Sequence, residues 1–256
     1  MRIPLILTTL LLSTTAAAGT LRVGASPVPH AEILNFIKPI LAKQGVTLVI
    51  REFSDYVQPN LALADGSIDV NFFQHAPYLA AFQKDRPLGI VAGAKVHVEP
   101  IGLYSRRVRD LRALKTGATI AIPNDPSNSG RALKLLERAG LLRLKAGVGT
   151  NATPLDIVSN VKRLKFRELE AAQLPRALAD VDAAVINTNY ALDAGLNPLK
   201  DALTLEGASS PYANLLAVKP ATLKNPDYQK LAQALQSPAV RTFILNTYKG
   251  AVVPAF

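Results

Sequence analysis

Apolar and polar positions along the chain follow two periods. Leu21-Arg22-Val23-Gly24-Ala25 alternates as a strand does. Ile33, Phe36, Ile37, Ile40 and Leu41 then recur at helical spacing, on a face that ends at Gly45 and carries Pro39 within it. Val46 to Ile50 is a second strand, Val57 to Ala64 a short helix, and Ile68-Asp69-Val70 opens a third strand. This βαβαβ order predicts a largely parallel sheet with helices on both faces.

The pattern restarts mid-chain. Ala118 to Ile122 reads as a strand, and Ala132, Leu135, Leu136 and Ala139 form a helix face closed by Gly140. Lys165–Leu169, Ala183–Ile186, Ala202–Leu205 and Leu215–Val218 are further strands, with terminal helices near Asp227–Leu235 and Ala239–Tyr248. Two α/β units follow, the second set inside the chain, with the C-terminal segment free to return to the first.

Length and composition narrow the classes. At 256 residues, 49% hydrophobic and 19% charged, the chain buries a sizeable core in one large domain or two lobes. It has no Cys, which excludes disulfides, thiol nucleophiles, Cys-ligated metals and acylation through Cys. The net charge of +10 is local: Tyr104–Arg167 holds 14 Lys and Arg against 4 Asp and Glu, and the rest is balanced. Tyr104 and Phe166 are the only aromatics in that stretch, so a nucleic-acid interface is not expected. A solvated basic face is the simpler reading, and docking to an acidic surface the sharper one.

The N-terminus reads as an export signal. Arg2 precedes the apolar run Ile3–Leu12, and Ala16-Ala17-Ala18 supplies the small residues of a cleavage site before Gly19.

Candidate chemistry gathers at strand ends. His30 and Glu32 follow the first strand, where a turn faces the crevice beyond the sheet. Asn71-Phe72-Phe73-Gln74-His75-Ala76-Pro77-Tyr78 packs two aromatics, an amide, an imidazole and a phenol together, which suits an apolar or thioether group with polar orientation. Strand alternation makes at least one of Phe72 and Phe73 a core residue. In Pro123–Arg131, Asp125, Ser127 or Asn128 caps a helix that Pro126 begins. Arg131 then sits near the positive end of a helix dipole, which makes sense beside an anion: a ligand carboxylate or a protein one. Asn187-Thr188-Asn189-Tyr190 and Ser210-Pro211-Tyr212-Ala213-Asn214 offer amides at other strand ends. A three-His metal site from His30, His75 and His97 lacks a metal-binding spacing. Nucleophile-elbow and phosphate-loop motifs are absent.

Five stretches together resemble the methionine-binding proteins of bacterial ABC importers, the NlpA/MetQ family. They are Val23-Gly24-Ala25 with Pro29–Ile33, Asn71–Leu79, Glu99–Ser105, Ile122–Leu142, and Val185–Tyr190 with Ser210–Leu215. The resemblance implies a two-lobed, type II-like periplasmic-binding-protein fold, each lobe a mostly parallel sheet flanked by helices. The lobes it implies are 19–103 with 214–256, and 104–213, after a signal peptide over 1–18. It further implies that Arg131 holds an amino-acid carboxylate, that Asn128, Asn187 and Asn214 hold the polar end, and that Phe73, Tyr78 and His75 surround the side chain. The partners implied are methionine or a close relative and an inner-membrane ABC permease with its ATPase. A monomer with no cofactor and no metal is expected.

Two departures stand out. Family members carry an acylated Cys at the cleavage site, and here Gly19 follows Ala18, which predicts a soluble, unanchored periplasmic form. Val28 takes a place often held by Gly before Pro29-His30, which predicts a narrower pocket mouth or altered ligand choice. The competing readings are an amino-acid binder of other specificity, an enzyme using His75 or Glu99 as acid or base, and a docking protein built on its basic region.

Overall fold

The computed structural model describes residues 19–84, 86–207 and 210–256. The expected signal peptide lies outside them. The first βαβαβ unit runs β1 (Gly19–Ala25), α1 (Glu32–Lys43), β2 (Val46–Glu52), α2 (Gln58–Asp65) and β3 (Val70–His75), followed by α3 (Ala76–Lys84) and β4 (Val91–Val98). β5 (Gly102–Tyr104), β6 (Thr119–Pro123), α4 (Pro126–Arg138), the short pair β7 (Arg143–Leu144) and β8 (Ile157–Ser159), then β9 (Lys165–Leu169) open the second unit. It closes with α5 (Leu174–Ala177), β10 (Ala183–Ile186), α6 (Thr188–Asp193), α7 (Pro198–Asp201) and β11 (Ala202–Leu205). The chain then returns through β12 (Ala213–Val218), α8 (Pro226–Leu235), α9 (Pro238–Tyr248) and β13 (Val253–Pro254).

Two main sheets result, in the orders β13-β4-β12-β3-β1-β2 and β11-β5-β10-β6-β9. The βαβ crossovers give the parallel pairs β2-β1-β3 and β10-β6-β9. The pairs made by β4, β12 and β13, and by β5 and β11, are antiparallel. The sheets are therefore mixed rather than largely parallel, because those strands carry the chain between the sheets instead of through a helical crossover. The periodicity did not show β4 or β5. Gly102 and Leu103, grouped by sequence with the first lobe, pair in the second sheet, so the chain leaves the first sheet after β4 and enters the second at β5.

Each sheet is covered on both faces. α1 lays Ile33, Leu34, Ile37 and Leu41, all fully buried, against β1, β2, α8 and α9. At about 1.5–3 kcal/mol for each buried side chain, this face alone supplies a large share of the first lobe's stability. Phe72 and Val23 belong to the same core, while Leu63, Ile68 and Leu215 fill the opposite face. In the second lobe α4 packs Ala132, Leu133 and Leu136 on one face and α5 packs Leu174 and Ala177 on the other. The capping reading of α4 holds in detail: the Asp125 carboxylate accepts from the Asn128 N–H at 2.9 Å, with Pro126 in the first turn.

Candidate functional site

The carboxyl ends of β3, β6 and β10 and the two crossings converge between the sheets. There they form a chamber lined by Tyr56, Phe73, Gln74, His75, Tyr78, Glu99, Asn128, Arg131, Asn187, Asn189 and Asn214, around a void of about 20 Å³. All seven residues expected from the sequence, Phe73, His75, Tyr78, Asn128, Arg131, Asn187 and Asn214, line this one chamber. Gln74 and Asn189 come from candidate stretches of the sequence without being singled out within them, Glu99 is expected from sequence only as an acid or base, and Tyr56 carries no sequence signal for this place. Val28 packs on the first core and is not part of the chamber wall; it lines a neighbouring cavity with Ser54, Asn189 and Tyr190.

One wall is aromatic. The rings of Tyr56, Phe73 and Tyr78 meet pairwise with centroids 5.7–5.8 Å apart. Phe72, their strand neighbour, is fully buried in the core on the other side of β3, as strand alternation requires. Tyr56 closes this wall from the loop after β2, donating its hydroxyl to Asn189 Oδ1 in the second lobe at 2.6 Å.

The polar wall is largely bound to itself. The Tyr78 N–H donates to His75 Nδ1 at 3.1 Å, which places the ring proton on Nε2, 3.3 Å from Asn128 Oδ1. Burial and the Arg131 charge push the His75 pKa down to about 3, so the ring is neutral at physiological pH. Asn128 Oδ1 also accepts from Asn187 Nδ2 at 3.0 Å, and Asn128 Nδ2 donates to the Asp125 carboxylate. Asn128 thus has its capacity committed to protein partners and works by orienting His75 and Asn187. Asn187 Oδ1 is buried and has no partner among the described residues.

Arg131 has the anion its helix position called for, and the anion is a protein carboxylate. Its Nε and Nη2 donate to Glu206, which follows β11, and Nη2 donates to the Glu99 carbonyl oxygen at 2.7 Å. The guanidinium lies over the Tyr212 ring, 4.2 Å from its centroid. Glu206 is thus one anion beside Arg131. Nη1 stands outside these bonds.

Glu99 is buried on the outward crossing. Its Oε1 takes the His97 Nε2–H at 2.7 Å and lies 3.2 Å from His30 Nε2, while its Oε2 accepts from the Asn189 N–H at 3.0 Å. Burial pushes the Glu99 pKa up and those of His30 and His97 down to about 4 and 3. Glu32, the other acidic candidate near the first strand, accepts from the Tyr248 hydroxyl at 2.6 Å instead. His30, His97 and Glu99 place ligating atoms within 4.8 Å of one another, near enough to share a metal ion. His97 is already hydrogen-bonded to Glu99 and His30 to Asn214, and His75, the third histidine of the arrangement considered from sequence, belongs to a different network.

A chamber buried between two α/β lobes, with one aromatic and one charged wall, defines a protein that encloses a small polar molecule. The chain belongs to the NlpA lipoprotein family, whose sequence profile matches residues 21–256. It is 46% identical over 213 residues to the D-methionine-binding lipoprotein MetQ of Salmonella typhimurium, covering 82% of this chain and 79% of that one. Among solved structures, a nutrient-binding protein from Burkholderia cenocepacia bound to methionine superposes with a TM-score of 0.89 at 49% identity, over 92% of this chain and all of that one. An ABC transporter periplasmic substrate-binding protein from Coxiella burnetii gives 0.88 at 50% identity, with the same coverage.

These findings correct one expectation. The family and its Salmonella relative are named lipoproteins, which overturns the soluble, unanchored form inferred from the lack of Cys. A missing thiol removes one attachment chemistry and was too narrow a ground for placing the protein free in solution.

Proposed function

We propose that the protein is the substrate-binding component of an ABC importer, holding methionine or a close relative between its lobes and passing it to an inner-membrane permease with its ATPase. The observation that carries this is the chamber's opposed walls. The three rings of Tyr56, Phe73 and Tyr78 form a surface for a thioether side chain, since sulfur packs favourably about 5 Å from an aromatic ring. Across from them stand the Arg131 guanidinium, whose Nη1 makes no hydrogen bond to the described residues, and two acceptors, Glu99 and Asn187 Oδ1. In this reading a zwitterion sets its carboxylate on Arg131 and its ammonium against Glu99 and Asn187. The family membership and the titles of the relatives point to the same ligand class.

The arrangement suits binding better than catalysis. Both ring nitrogens of His75 are engaged, and its low pKa makes it a weak base. Glu99 accepts from the His97 ring and from the Asn189 N–H, which holds it in place.

The test is calorimetric titration of ligand-stripped protein against L- and D-methionine and the other amino acids, beside thermal melts. A ligand at 100 times its Kd adds about 2.7 kcal/mol of stability. Methionine or a near relative should bind once per chain, unchanged on release. Absence of a melting shift with every amino acid would reject the reading.

A further inference from the structure

Glu99 is an unusual carboxylate. It is buried, it lines the ligand chamber, and its direct partners carry no formal charge. Oε1 faces the Nε2 atoms of His97 and His30, and Oε2 faces a backbone N–H. The guanidinium nearby touches only the Glu99 carbonyl oxygen and spends its ion pair on Glu206. A buried carboxylate held by neutral donors is oriented but not neutralised.

The two imidazoles that hold it are built into the first lobe. His97 lies near the end of β4 two residues before Glu99, so an extended backbone puts both side chains on one side. His30 comes from the turn before α1 and also reaches Asn214 Oδ1 at 3.2 Å. Both rings pack edgewise on Phe72, with centroids 5.3 Å and 4.7 Å from it. Neither Nδ1 has a hydrogen-bond partner among the described residues, and the neutral His97 ring, whose acceptor Glu99 stands at Nε2, carries its proton there. Neither ring lines the chamber.

We infer that His97 is a positioning residue for ligand recognition: with His30 it fixes the Glu99 carboxylate, from behind the chamber wall, as the seat of the ligand's ammonium group. This rests on the amino-acid reading above. The buried Asn187 Oδ1, lacking a donor, completes the seat from the second lobe, so one ammonium group satisfies acceptors of both lobes. Selection of an amino acid over its des-amino analogue then depends on a histidine that never touches the ligand.

The experiment compares methionine with methylthiobutanoate, the same skeleton without its α-amino group, on wild type, His97→Leu and His97→Gln. Glutamine can place an amide N–H where Nε2–H stands, and leucine cannot. A hydrogen bond to a charged group corresponds to about 10- to 100-fold in affinity. His97→Leu should lose about that factor for methionine while its weak affinity for the analogue stays nearly constant, and His97→Gln should recover most of the loss. If the Leu variant does not fold, His97→Asn replaces it, since its shorter side chain falls short of Glu99. Equal losses for both compounds, or no recovery by Gln, would overturn the inference. A wild type that binds no amino acid would instead reject the functional reading on which it rests.

Discussion

Arg131 and Glu206, 75 residues apart in sequence, form an ion pair in which both side chains are almost wholly buried, 3% and 6% exposed. Arg131→Ala would leave Glu206 charged and unpaired in the interior, a loss of about 3–5 kcal/mol. The substitution therefore removes ligand affinity and stability together. The double variant Arg131→Met/Glu206→Leu should regain most of the stability and none of the affinity. Urea unfolding of wild type, Arg131→Met, Glu206→Leu and the double variant, with titration of each, checks both halves. An Arg131→Ala protein of wild-type stability would mean the pair has no structural role.

Tyr56 joins the lobes through its hydroxyl on Asn189, and Tyr190 repeats the connection by donating to the Ser54 carbonyl oxygen at 3.1 Å. Tyr56→Phe keeps the ring in the aromatic wall and deletes one bond worth about 0.5–1.5 kcal/mol. If the closed form is held by such contacts, ligand release should accelerate by about 2- to 10-fold with little change in association. Stopped-flow fluorescence would read both rates, and an unchanged release rate would remove Tyr56 from the closure.

The three histidines set a pH dependence of stability. Burial lowers the pKa of His30 to about 4 and of His75 and His97 to about 3, against about 6.5 when unfolded. Below about pH 6.5 the unfolded chain binds more protons than the folded one, so stability falls as pH drops toward 4, by up to about three protons' worth of slope. The raised pKa of Glu99 acts in the opposite sense over the carboxylate range. Unfolding free energies between pH 8 and 5 should decline, and His97→Gln should reduce the slope by about one proton.

Gly130, beside Arg131 on α4, is a point of close packing. A Cβ there would stand 2.1 Å from the Thr150 carbonyl oxygen and 2.7 Å from the Ala152 N. Backbone cannot yield as a flexible side chain can, so Gly130→Ala should cost about 1–3 kcal/mol despite alanine's better helix propensity. Thermal melts against Gly149→Ala, where nothing lies within 4 Å, isolate the packing effect.

The basic stretch is less open than its composition suggests. Arg107 pairs with Asp182 at 2.9 Å and Arg112 with Asp110. Arg106 and Arg109 are exposed, so charge reversals there, rather than at Arg107, test salt-sensitive docking without disturbing an internal pair. Association with the importer that is indifferent to both reversals at low salt would leave a solvated face.

By itself the sequence determined most of the helices and strands, where α4 begins, and that at least one of Phe72 and Phe73 belongs to the core. These follow from local rules: the period of buried positions, a capping carboxylate and the alternation of a strand. It also marked Arg131 as a cation in want of an anion. Only the tertiary structure decided which anion, because Glu206 arrives from beyond β11 through a sheet order that no local period encodes. The same holds for Glu99, whose environment is set by His30 from one end of the chain and Asn189 from the other lobe, and for Tyr56, an unremarkable loop residue until the lobes meet. β4 and β5, which the periodicity did not show, and the antiparallel direction of β12 were hidden for a related reason. Periodicity records that a strand buries a face, while the direction of its neighbour depends on how the chain crosses between the sheets.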